Sequence, residues 1–354
     1  DPEAYLRLIR GETTGPAAAL GRAALGLGAV GFRLGAAARN AAFDRGWKAV
    51  HRARVPVVSV GNLTLGGTGK TPMVEWLARW FRGRDVRVCL ISRGYGRADA
   101  VNDEALVLEE NLPDVPHLQD PDRARLAEIA VDELETELIV LDDGFQHRRL
   151  ARDLDVVLLD ALDPFGLGRL FPRGLLREPA SSLARADVVV VSRADLVPAD
   201  RRAWIRAEAA RLAPAAPVLE SRHAPLDLLD GEGASSPLDG LAGAKVAAFC
   251  GIGNPEGFRR TLEGLGCRVL ELRAFPDHHP YSAGDVDDLA RWAGATGADL
   301  VLTTQKDSVK LRLSHLGDAP LRALRIGLEI LDDARPLEDR LAALLPGRPA
   351  GPDA

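Results

Sequence analysis

The feature that most limits what this chain can fold into is Thr64-Leu-Gly-Gly-Thr-Gly-Lys-Thr71, set between an apolar run at 55–60 and a helix-like stretch at 72–81. Glycines let successive backbone N–H groups turn toward an anion. A lysine answers the β- and γ-phosphates, a hydroxyl meets Mg2+, and the following helix N-terminus adds its dipole. Gly66, Gly67 and Gly69 supply the turn, Lys70 the charge and Thr71 the hydroxyl, while Thr64, Leu65 and Thr68 complete the nucleotide-binding loop. Pro72 is expected at the first helical position, where its missing N–H would have no partner anyway. One position departs from the usual G-x-x-x-x-G-K-[ST] pattern, because Thr64 stands where the first glycine belongs.

The surrounding pattern is α/β. Apolar runs without alternation at 55–60, 86–91, 138–141, 156–159 and 188–191 suit strands buried on both faces of a parallel sheet. Helix-like stretches at 72–81 and 122–134 lie among them, and this alternation predicts a doubly wound, P-loop NTPase-like parallel sheet. The Pro-, Gly- and Ser-rich stretch 213–245 predicts a domain boundary. Beyond it, strands at 246–250, 268–272 and 300–303 and helices at 255–264 and 284–293 predict a second, smaller α/β unit. The expected division is an arm over 1–54, a P-loop domain over 55–215 and a C-terminal domain over 216–354 that closes over the nucleotide. Cys89, Cys250 and Cys267 stand far apart without a CxxC pair. That excludes a disulfide framework and a zinc knuckle, and predicts a reducing compartment.

Leu138-Ile-Val-Leu-Asp-Asp143, followed by Gly144-Phe-Gln-His147, is an apolar strand ending in acid, where an NTPase places a carboxylate near its Mg2+. Asp142 and Asp143 point to opposite sides of an extended backbone, so one suits the metal and the other a neighbour. A guanine reader would carry Asn-Lys-x-Asp after a later strand. Here Ser192-Arg-Ala-Asp195 is a degenerate version, which keeps a GTP-dependent switch or metal-insertion chaperone as the alternative. A catalytically silent membrane-binding module is a second rival. A kinase needs a proton acceptor for the attacking hydroxyl and cations for the transferring group. Ser92-Arg-Gly-Tyr-Gly-Arg97, Asn102-Asp-Glu104, Arg123, Leu176-Arg-Glu-Pro179 and Phe275-Pro-Asp-His-His279 are the candidates on loops after strands.

Residues 16–39 read as an Ala- and Leu-rich helix. Leu20, Ala24, Leu27, Gly31, Leu34 and Ala38 form one stripe, with Arg22 and Arg33 opposite. Five glycines between 21 and 35 weaken it. The first 60 residues hold nine basic side chains against four acidic ones in a chain of net charge −6, so a basic arm precedes an acidic body. That balance suits an anionic surface better than nucleic acid. An arm packed on its own globule and a helix lying in a membrane interface both stand open. No uncharged run reaches the roughly 18–20 apolar residues of a spanning helix, and no secretory-leader layout is present. The expectation is a cytoplasmic protein, peripheral to a membrane at most. With 46% apolar and 27% charged residues, disorder and fibrous folds are excluded.

Gly61-Asn-Leu-Thr-Leu-Gly-Gly-Thr-Gly-Lys-Thr-Pro72 resembles the opening motif of the tetraacyldisaccharide 4′-kinase family, which shares the threonine in place of the first P-loop glycine. The similarity continues through Ser92–Tyr95, Asp103-Glu104, Leu141–His147, Leu176–Pro179, Arg185–Asp187, Phe249–Pro255, Asp277-His278 and Lys306-Asp307. The resemblance implies transfer of the ATP γ-phosphate, with Mg2+, to the 4′-hydroxyl of an acylated glucosamine disaccharide 1-phosphate. The site would lie at the inner face of the cytoplasmic membrane, and no nucleic acid or obligate protein partner is implied. Asp103 falls on the family's proton-accepting carboxylate and His278 on its assisting imidazole. The two are expected in different domains, meeting only on closure. Thr71, Asp142, Asp143 and Glu104 fall to the metal, and Tyr95, Arg123, Gln146, His147 and Arg177 to the substrate. Asn102 replaces a usual glycine, which reduces backbone freedom before Asp103, while Ala105 replaces a common proline and Gln305 a frequent glutamate. With this likeness the interfacial reading of the arm gains over the packed one.

Overall fold

A computed structural model describes residues 2–94 and 103–347. The described chain forms two compact units: 2–93, 115–222 and 329–347 in the first, and 94, 103–114 and 223–328 in the second. The sequence-drawn boundary at 215/216 differs from this division, since 103–114 groups with the second unit and 329–347 with the first.

In the first unit, helices α1 (Pro2–Arg10) and α2 (Pro16–Asp44) precede strand β1 (Val57–Asn62) and helix α3 (Lys70–Arg82), which the P-loop joins. Strand β2 (Val88–Ser92) follows. Helix α4 (Asp103–Asn111) belongs to the second unit, after which come β3 (His117–Gln119), α5 (Arg123–Leu134), β4 (Leu138–Asp142), β5 (Leu154–Asp160), β6 (Val188–Ser192) and α6 (Ala199–Leu212). The sheet runs β3-β2-β4-β1-β5-β6 and ends on the first part of β7 (Val218–Leu229), with every pairing parallel. The Val and Leu side chains of the central strands β1, β5 and β6 are all buried, as a sheet covered on both faces requires. Leu126, Ala127 and Ala130 of α5 pack on Val57, Cys89, Ile91 and Leu141. Ala209 of α6 packs in a second cluster with Phe145, Val157, Leu159 and Val189.

The observed strands run past the apolar runs into polar tips, Asn62, Ser92, Asp142, Asp160 and Ser192. Parallel register brings Val60 opposite Asp142 and Asp160 opposite Ser192, so these tips gather on one sheet edge. Gly144, just beyond β4, is sterically required. A Cβ there would collide with Ser59 Oγ and the Leu141 side chain. Gly144→Ala is therefore expected to destabilise the protein by about 1–3 kcal/mol, the usual cost of overpacking. An unchanged denaturation midpoint would contradict this.

The second unit continues β7 through β8 (Ser235–Ser236), β9 (Lys245–Cys250), α7 (Pro255–Gly264), β10 (Arg268–Ala274), α8 (Ala283–Thr296), β11 (Leu300–Thr304), α9 (Gln305–Leu311), β12 (His315–Leu316) and most of β13 (Ala319–Ile330). Strand β9 lies between β10 and β11, and β11 pairs with β13, all in parallel. The chain then returns to the first unit in α10 (Arg335–Ala342).

The stretch expected as a linker contains β7, a 12-residue strand. Pro217, Pro225 and the polar run Glu220-Ser-Arg-His223 conceal it in the sequence. Helix α2 is longer than the sequence suggests, at 29 residues, and by length and composition alone it is apolar enough to cross a membrane. One side of it docks on the first unit: Phe32 meets Phe171 edge to face, and Arg39 and Asn40 reach Glu178 at 2.9 and 3.2 Å. The stripe Leu20, Ala24, Leu27, Gly31, Leu34 and Ala38 is exposed.

Candidate active site

The P-loop begins where β1 ends. Leu65 N–H donates to the Leu175 carbonyl at 2.7 Å, and Thr64 forms an antiparallel bridge with Leu176. This explains the missing first glycine, because an extended, bridged backbone suits any residue. Positive φ occurs only later in the loop, at Gly66 (105°) and Gly69 (81°). Gly69 caps α3, which starts at Lys70, so Pro72 is the third helical residue and not the first. It still lies within the first turn, whose N–H groups have no intrahelical acceptor.

Lys70 Nζ lies 3.5 Å from Asp143 Oδ1, and Arg177 Nη1 lies 2.8 Å from both Asp143 carboxylate oxygens. Arg123 is buried and donates to the Asp143 backbone carbonyl at 2.9 Å. Arg177 also donates to Gln146 Oε1 (3.2 Å), and Gln146 Nε2 to the Asn62 carbonyl (2.8 Å). Burial raises the Asp143 pKa, but Lys70, Arg177 and Arg123 outweigh it and hold the carboxyl below its ordinary range. His147 is driven to about 4 by burial and then by the nearby Arg123 and Arg152, so its imidazole is neutral at neutral pH. Arg123, Gln146 and Arg177, expected to face substrate, are thus tied around Asp143. Tyr95 lies outside the described residues.

The second unit brings together Asp103 and His278, which the sequence places 175 positions apart. Asp103, the first residue of α4, has its Oδ2 3.0 Å from His278 Nδ1 and 3.3 Å from Lys310 Nζ. The expectation that the pair sits in different domains is wrong. Residues 103–114 fold with 223–328, so the dyad is assembled within one unit. Burial favours the neutral acid, yet the His278 hydrogen bond and the Lys310 charge prevail and hold Asp103 at about 2. The His278 pKa is raised, chiefly by its hydrogen bond to Asp103.

Sequence reasoning missed Lys310, and it gave Asp307 a place in a motif but no role. Asp307 is fully buried and lies 3.2 Å from Lys310. It accepts hydrogen bonds from Tyr281 Oη (3.0 Å), Thr304 Oγ1 (2.6 Å) and the Gly251 N–H (3.0 Å). The i,i+3 spacing of Asp307 and Lys310 was the available signal. Lys306 instead pairs with Glu104 at 2.9 Å, so the carboxylate assigned to a metal by resemblance has an ammonium on it. Gln305 and Asn111 exchange hydrogen bonds, a pairing that the family's glutamate could not reproduce without protonation.

A P-loop, a parallel sheet and an acid-tipped strand beside the central one define a P-loop nucleotide-binding protein. The tetraacyldisaccharide-1-P 4′-kinase family model matches residues 22–346, and the chain belongs to that family. A protein of Anaeromyxobacter dehalogenans (strain 2CP-C), named tetraacyldisaccharide 4′-kinase, is 47% identical over 351 residues, covering 94% of this chain and 93% of the relative. One of Halothermothrix orenii with the same name is 41% identical, covering 77% and 79% respectively. The crystal structure of Aquifex aeolicus LpxK in complex with ATP is similar with a TM-score of 0.74 and 30% identity, covering 91% of this chain and 99% of that one.

Proposed function

We propose that this chain transfers the γ-phosphate of ATP to the 4′-hydroxyl of a tetraacylated glucosamine disaccharide 1-phosphate. The observation that carries this reading is the presence, in a member of this family, of a P-loop in one unit and an assembled Asp103–His278–Lys310 cluster in the other. Thr64–Thr71 hold the triphosphate, with Lys70 on the β- and γ-oxygens. Thr71, Asp142 and Asp143 offer the hard oxygen donors that Mg2+ prefers. Asp142 is the first candidate, because both oxygens of Asp143 lie on Arg177. Among the described residues no three His, Cys, Asp or Glu side chains cluster as a metal cage. That fits an ion held mainly by one carboxylate, a hydroxyl and phosphates. Mg2+, when bound, neutralises charge on the transferring group.

Asp103 orients the 4′-hydroxyl and takes its proton. A carboxylate held near 2 is a weak base. Phosphoryl transfer asks mostly for alignment and charge stabilisation, which a carboxylate fixed by His278 and Lys310 supplies. Product analysis tests the assignment: the lipid should gain one phosphoryl group at the 4′ position. Phosphate at any other position, or none, would overturn it.

The open stripe of α2 supports docking on the lipid surface that carries the acceptor, at the cytoplasmic face where ATP is supplied. Leu27 and Leu34 are 76% and 66% exposed, so their substitution costs the fold little. Each buried leucine is worth about 1.5–3 kcal/mol. Replacing both with glutamate should weaken binding to anionic vesicles by at least about tenfold at unchanged Tm. Unaltered vesicle binding would remove α2 from the interface.

A further inference from the structure

Strand β6 ends at Ser192, which opens Ser192-Arg193-Ala194-Asp195, where a guanine reader would carry Asn-Lys-x-Asp. In this structure its first two side chains engage the P-loop backbone. Ser192 Oγ donates to the Thr68 carbonyl at 2.8 Å, and Arg193 Nη2 donates to the carbonyl of Gly67. Arg193 is itself fixed by Asp160, at the tip of β5, with Nη2 to Oδ2 at 2.6 Å. Ser192 is fully buried and Arg193 leaves β6 in the left-handed region at φ 55°. That conformation is unfavourable for a residue with a Cβ.

The consequence follows from peptide geometry. In a trans peptide, C=O and N–H point in opposite directions. Holding the carbonyls of Gly67 and Thr68 toward β6 therefore aims the N–H groups of Thr68 and Gly69 the other way, as a phosphate nest requires. A Cβ at Gly66 or Gly67 would meet no atom within 4 Å, so on that side of the two planes side-chain packing does not restrain the loop, whereas Thr68 between them is buried.

We propose that Ser192 and Arg193 are positioning residues of the phosphate loop: they hold two successive peptide planes in the phosphate-receiving orientation before nucleotide arrives, and they do not read its base. The proposal rests on the ATP reading of the loop. It separates the 192–195 motif from guanine recognition and gives it a task that any nucleoside triphosphate would use.

The test measures ADP and GDP binding directly, together with ATP turnover, for Arg193→Met, Arg193→Lys and Ser192→Ala. A hydrogen bond from a charged donor is worth about 1.5–3 kcal/mol. Arg193→Met should accordingly raise the ADP Kd and ATP KM by about 10- to 100-fold, with kcat changing far less and the lipid KM unmoved. Ser192→Ala should give a smaller rise, about fivefold, and Arg193→Lys should recover much of the loss through its remaining donor. The ADP-to-GDP ratio should stay as in the parent protein. Wild-type ADP affinity in both Arg193→Met and Ser192→Ala would overturn the proposal, and so would a changed ADP-to-GDP ratio. If Arg193→Met fails to fold, Ser192→Ala and Arg193→Lys decide the question. ADP binding needs no lipid acceptor, so failure of the kinase reading would appear separately, as absent transfer by the parent protein.

Discussion

Lys70→Ala should reduce phosphate transfer by about 10³-fold or more while leaving the fold intact. The Lys70 side chain is only 13% exposed and its ammonium lies 3.5 Å from Asp143, at the N-terminus of α3. Losing one preorganised donor from a water-poor site typically costs about 10²–10³ in rate, and here a full charge facing the β- and γ-phosphates goes with it. Asp143 keeps Arg177 at 2.8 Å, so no buried carboxylate is stranded and Tm should change little. Near-normal turnover would contradict the loop assignment. A collapsed Tm would instead mean that Lys70 is structural.

The second large effect concerns Asp103. Asp103→Ala should lower kcat by about 10²–10⁴-fold, the worth of a positioned acid–base group, with ATP affinity kept because the P-loop contacts belong to another unit. His278→Ala should cost less, because Lys310 still holds Asp103 Oδ2 at 3.3 Å. Loss of ATP affinity without loss of kcat would place Asp103 with the nucleotide and not with the acceptor hydroxyl.

Much of this arrangement is legible in the sequence because parallel sheets leave plain traces. The apolar runs that became β1, β2, β4, β5 and β6 are buried on both faces, so no polar alternation blurs them. The loop from Thr64 to Thr71 is equally plain, since its glycines and its lysine answer one local demand. What stayed hidden depends on distance along the chain. Nothing in the composition of 103–114 says that it folds with 223–328, and the reading of Asp103 and His278 as a dyad divided between domains fails for that reason. Strand β7 is masked by Pro217 and Pro225, and nothing local to Lys310 reveals that Asp103 and Asp307 lie 3.3 and 3.2 Å from it. Glu178 is another such case. It is a fully buried carboxylate whose partners, Arg39, Asn40 and Arg185, come from α2 and from beyond the P-loop segment.

The most direct measurement follows the label of γ-labelled ATP during incubation with Mg2+ and a tetraacylated disaccharide 1-phosphate in detergent micelles, beside GTP and lipid-free controls. The account predicts label on the lipid, drawn from ATP, only when the lipid is present, and absent with Lys70→Ala. Label released as free phosphate regardless of lipid, or taken only from GTP, would contradict it.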